Sequence, residues 1–95
     1  MGQDDWDSAA SERVYKYIFT SVCESMGRVF VENMAGIRED EFRKEAARDS
    51  VIGLVGKLHN WLGQQVVEGI LLNIQSEFRD PPTLKVLSEL KQQVG

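Results

Sequence analysis

The stretch Met26-Gly27-Arg28-Val29-Phe30-Val31-Glu32-Asn33-Met34 is echoed 36 residues later by Leu62-Gly63-Gln64-Gln65-Val66-Val67-Glu68-Gly69-Ile70. The match runs backwards through the apolar positions, where Tyr15, Ile18, Phe19 and Val22 correspond to Val51, Leu54, Val55 and Leu58. Both sets step by three and four residues, the spacing that puts side chains on one face of a helix. Two segments with one pattern do one structural job, most simply as two long amphipathic helices packed on each other. The expected fold is therefore all-α: a small bundle of three to five helices built around two long, sequence-related ones.

The ends of these helices are marked locally. Asp7 or Ser8 can accept a hydrogen bond from the first free amides of a helix. From there a core stripe of Tyr15, Ile18, Phe19, Val22, Met26, Val29 and Phe30 runs to Ala35-Gly36, where glycine can close the helix in the left-handed region. Ile37 then falls where an apolar residue packs back. The segment Arg38–Glu45 restarts a helix, with acidic residues ahead of basic ones and ion-pair spacing at Glu39/Arg43 and Asp40/Lys44.

Apolar positions then resume and continue to Phe78. A single helix over residues 46–78 would be about 50 Å long, whereas a chain of 95 residues has a compact radius of gyration near ~13 Å. Either the helix breaks, with Gly63 the natural place, or the molecule is elongated and a partner completes its core. Gly53, Gly56 and Gly63 share a stripe opposite the apolar one, as expected either of a face approached closely by another backbone or of a solvent face that tolerates them. Asp80-Pro81-Pro82-Thr83 ends this region and opens a last helix, capped by Asp80, with Leu84, Leu87, Leu90 and Val94 as its expected buried edge.

Residues 1–95 read as one all-α domain, with 1–7 a frayed terminus or cloning remnant. The apolar fraction of 42% suits a folded domain, and the net charge of −4, with both signs interspersed, makes no basic surface for nucleic acid. The most apolar region is interrupted by Lys57, His59, Asn60, Gln64, Gln65 and Glu68, so no membrane span is expected. One cysteine excludes an internal disulfide and suits an intracellular, reducing setting, cytoplasm and nucleus being indistinguishable.

Reactive groups are few. His59 and Cys23 are the only histidine and cysteine, too few for a zinc site of those ligands within one chain. Cys23 lies beside the first apolar stripe, where a buried inert thiol is the ordinary role. Asp4, Asp5 and Asp7 lack the glycine turn and distal glutamate of a calcium loop. No phosphate-cradling glycine loop occurs. The expectation is neither enzyme nor metal protein, and no cofactor.

Asp49-Ser50-Val51 opens a helix in a small acidic all-α chain. With Phe42 ahead of it and Phe78 followed by Pro82-Thr83, it resembles the prosthetic-group site of acyl and peptidyl carrier domains. The resemblance implies a 4′-phosphopantetheine arm on Ser50 and a recognition helix starting at Val51 and Leu54. The sequence departs from that family at Ala47, which replaces its glycine, at Gly56 and Asn60, and in a longer span from Ser50 to Pro82-Thr83.

The principal expectation is a protein–protein interaction or dimerisation module, without catalytic activity, serving as part of a larger protein or a scaffold in an assembly. Its partner would be a second copy or another helical protein. The shared surface is expected at Phe30, Met34, Trp61, Val67, Leu71 and Phe78, since aromatic and methionine side chains contribute most at the centre of a contact.

Overall fold

The carboxylate of Asp7 accepts hydrogen bonds from the amides of Ala9 (2.9 Å) and Ala10 (3.1 Å) and so starts the first helix. In the computed structural model, which describes residues 7–36 and 48–94, five helices follow in chain order. They are α1 (Ser8–Met26), α2 (Arg28–Ala35), α3 (Arg48–Leu62), α4 (Gln64–Glu77) and α5 (Pro81–Val94). The fold is a small all-α bundle. Ile37, the expected helix over Arg38–Glu45 with its ion pairs, Phe42, Ala47 and Trp6 lie outside the described residues. None of the described helices is long and apolar enough to cross a membrane.

The sequence predicts an unbroken first helix to Ala35, but α1 stops at Gly27 and α2 starts immediately after it. The long helix is interrupted in the same way at Gly63, so the length problem is solved by a bend rather than by elongation. The radius of gyration is 12.5 Å and the longest dimension 37 Å. Gly27 sits at φ 90°, ψ 138° and Gly63 at φ 97°, ψ 161°, a region that residues with a Cβ avoid. Each glycine amide still bonds back to a carbonyl four residues earlier, Gly27 to Cys23 (2.7 Å) and Gly63 to His59 (3.0 Å). Each glycine carbonyl accepts the first bond of the next helix, from Val31 (3.0 Å) and Val67 (3.3 Å). One residue thus ends one helix and begins another.

These joints change which face of the chain is buried. Before them, Tyr15, Ile18, Phe19 and Val22 of α1, and Val51, Leu54, Val55 and Leu58 of α3, fill the core. On unbroken helices, at about 100° per residue, Val31 and Val67 would point roughly half a turn away from those stripes. After the joints it is Val31 of α2, and Val67, Leu71 and Ile74 of α4, that are buried. Val29 and Phe30, expected in the core on a straight helix, are exposed for this reason, and Met26, also expected there, is exposed at the end of α1.

The last helix closes the core with Thr83, Val86, Leu87 and Leu90, whereas the expected Leu84 is exposed and Val94 only half-buried. The Asp80 carboxylate accepts from the Thr83 hydroxyl (2.7 Å) and amide (3.2 Å), capping α5 as its position before Pro81-Pro82 implies. The same oxygen accepts from Arg13 of α1 (3.0 Å), whose guanidinium also donates to the Thr83 hydroxyl (3.2 Å). This network ties the start of α1 to the start of α5. The Thr83 hydroxyl bond, with the Thr83 amide and the Arg13 charge adding to it, holds the Asp80 carboxyl below its ordinary 3.8 despite partial desolvation. At the other end of α5, Glu89 pairs with Arg48 of α3 (3.0 Å) and Lys91 donates to Gln75 of α4 (2.6 Å).

Candidate interaction surface

Among the described residues, helix α2 is held from one side. Val31 enters the core, and the Phe30 ring stacks on Trp61 at the end of α3, with centroids 5.4 Å apart and an interplanar angle of 27°. The Arg28 guanidinium lies 5.8 Å from the centre of the Phe19 ring. The helix ends at Gly36 in the left-handed conformation (φ 67°, ψ 27°), as the sequence implies. Lys57 of α3 donates to the Gly36 carbonyl at 3.4 Å, satisfying one of the free acceptors of the last turn.

The other side of α2 is apolar and in water. Val29 is 70% exposed, Met34 64%, Phe30 45% and, just before the joint, Met26 43%. Together they present roughly 400 Å² of apolar surface, the size of the largest patch on a typical monomer and one that is often functional. An eight-residue helix has too little propensity to persist alone. Its position depends on Val31, the Phe30–Trp61 stack and the Lys57 contact.

Of the six residues expected on a shared surface, Phe30, Met34 and half-buried Trp61 meet at this end of the bundle. Val67 and Leu71 do not. They lie on the inward face of α4, which the half-turn change at Gly63 carries into the core. Phe78 is half-buried at the far end of α4, with its ring edge-on to Tyr17 of α1 at 6.1 Å. Val29 and Met26 were not anticipated here. For Val29 the signal was the echo itself, because a bend at Gly63 implies the same bend at the matching Gly27 and exposes the residues beyond it; for Met26, which precedes the joint, there was none.

The stripe of Gly53, Gly56 and Gly63 is not closely approached. No other described atom lies within 4 Å of where a Cβ would stand at any of the three. Gly53 and Gly56 are simply exposed on α3, and Gly63 is required for its backbone conformation. Ser50 is half-buried in the first turn of α3, while Val51 and Leu54, which the carrier resemblance places on a recognition surface, point into the core. His59 is half-buried, and its Nε2 has no hydrogen-bond partner among the described residues. No group of three metal-ligating side chains occurs among those residues.

A second apolar feature lies at the α4–α5 corner, an open groove of about 450 Å³ lined by Leu72, Gln75, Ser76, Arg79 and Leu84. Leu72 is well exposed there. Comparison of the chain with protein-family models, with curated proteins and with solved structures finds no match.

Proposed function

We propose that the chain is a protein-docking module whose contact face is the outer side of α2, centred on Val29, Phe30 and Met34 and backed by Trp61. The observation that supports this is the cost of the arrangement. Full burial of a side chain of this size is worth about 1.5–3 kcal/mol, and each of these forgoes roughly half of that or more. Scattered singly they would need no explanation, but here four fall within nine residues, three on α2 and Met26 at the end of α1. An aromatic pair at the edge of such a face is the type of anchor that carries contact energy. Among the described residues no dense polar constellation surrounds it, which favours binding over chemistry as the use of this surface.

The test is a photoreactive amino acid placed at Val29 in the full chain, in the cell that expresses it. Glu24, exposed on α1, serves as the control position. Protein adducts at position 29 that are absent at position 24, and that disappear with Met34→Asp, are expected. Equal labelling at the two positions would reject α2 as a docking face. The alternative reading, a phosphopantetheine arm on Ser50, is tested separately by covalent loading with a phosphopantetheinyl transferase, and no loading is expected because Val51 and Leu54 face the core.

A further inference from the structure

We infer that the occupant of the α2 face is a second copy of this chain, docked with the two α2 helices antiparallel about a two-fold axis passing near Phe30. The inference rests on the docking role proposed for α2 and adds the identity of the partner. Two features favour a second copy.

The first is charge. The whole chain carries −4, so two copies repel one another over most of their surfaces. Helix α2 carries one positive and one negative side chain, Arg28 and Glu32, and is neutral. They lie four residues apart, 3.8 Å from one another, on one flank of the helix beside Val31. In an antiparallel pair each flank meets the same flank of its partner in reversed order. With the axis near residue 30, Arg28 of one copy then faces Glu32 of the other, and the reverse pairing follows by symmetry. The face is self-complementary.

The second is area. About 400 Å² of apolar surface on each copy, with the polar flanks added, amounts to roughly 1,000 Å² in total, the lower bound for a specific contact. Self-association through α2 alone is therefore weak and concentration-dependent. Val29, Phe30 and Asn33 would lie nearest the axis, with Met34 beside the partner's Met26 end.

Sedimentation velocity over a concentration series of the purified full chain tests this. Wild type is expected to show a reversible monomer–dimer equilibrium in the micromolar range, about −8 kcal/mol at 1 μM. Val29→Asp should weaken it at least about 100-fold by placing two carboxylates at the axis. Arg28→Glu and Glu32→Arg should each weaken it about 10-fold, because each creates two like-charge contacts at the rim. The double exchange R28E/E32R restores both cross-pairs and should return the affinity to within about 3-fold of wild type. Because Arg28 also packs over Phe19, Glu32→Arg carries the result if Arg28→Glu fails to fold.

A strict monomer at millimolar concentration would overturn the inference, as would a dimer indifferent to Val29→Asp or a double exchange no better than the singles. So would a cross-link from position 29 into residues 37–47 of the same chain. A monomer whose position 29 captures a different protein would overturn the second copy and leave the docking face standing. No adduct of any kind would overturn both.

Discussion

Replacing Gly63 with alanine tests the joint that shapes the molecule. The residue sits at φ 97°, ψ 161°, where a side chain costs about 1–3 kcal/mol. Nothing lies within 4 Å of the added Cβ, so the penalty is one of backbone conformation and not of crowding. Alanine recovers about 0.4–1 kcal/mol by restricting the unfolded chain. The net loss is then about 1–2 kcal/mol, or roughly 5–12 °C in melting temperature for a domain of this size. The chain could avoid the strain by running helical through residue 63, but residues 48–77 would then span about 45 Å, beyond the 37 Å of the folded molecule. Straightening would also turn Val67, Leu71 and Ile74 out of the core, and losing three such side chains costs more than the ~1 kcal/mol alanine gains in helix propensity. The bend therefore persists under strain. Urea denaturation of Gly63→Ala beside Gly56→Ala measures it. Gly56 is helical, exposed and unobstructed, so the same change there should stabilise by about 0.8–1 kcal/mol. Opposite signs are expected at the two positions. A Gly63→Ala variant as stable as Gly56→Ala, with unchanged mass in solution, would refute the glycine-joint explanation.

Other substitutions separate core from surface. Leu71→Ala should cost about 2–5 kcal/mol in urea denaturation, since Leu71 is fully buried. Val29→Asp should shift stability by less than about 0.5 kcal/mol, because the residue is exposed. Ser11 is fully buried and its hydroxyl has no partner among the described residues, so Ser11→Ala should raise stability by about 1 kcal/mol. The Asp80 carboxyl is held below its ordinary value in the folded chain, so its contribution is present above the unfolded value of 3.8 and is lost as pH falls through the lower folded value. The urea midpoint should drop through that acidic window in wild type and drop less in Asp80→Asn. Incubation of wild type with a competent phosphopantetheinyl transferase and coenzyme A should leave its mass unchanged, because Val51 and Leu54 are turned inward from Ser50. Gain of the arm at Ser50 would establish the carrier reading instead.

The parts of this fold legible in the sequence are those determined by near neighbours. Asp7, Gly36 and Asp80 act within three or four residues of themselves, and each ends or starts a helix where its chemistry implies. Gly63 was legible by a different route, from a helix too long for the chain's compact size. Gly27 was not, although a first helix of 29 residues, about 44 Å long, posed nearly the same conflict and its match to Gly63 carried the same information. The consequence reached the candidate site. One continuous stripe puts Val29 and Phe30 in the core and leaves Val67 and Leu71 available for a partner, whereas a half-turn change of phase at each glycine reverses both assignments. Apolar spacing counts residues to a face but does not register where that face is rotated. The Arg13–Asp80–Thr83 network spans 67 to 70 residues and depends on the finished packing of α1 against α5. No local pattern encodes it.

The account turns on α2 having its Val29–Met34 side in water while Val31 faces inward. Hydroxyl-radical footprinting with mass spectrometry, on the full chain at the lowest workable concentration, tests that directly. Met34 should label fastest, Met26 and Phe30 at roughly half the rate of the unfolded chain, and Val31, Val67 and Leu71 should be strongly protected. Protection of Met34 and Phe30 in a chain shown to be monomeric under the same conditions would mean that the molecule covers this face itself, and would contradict the account.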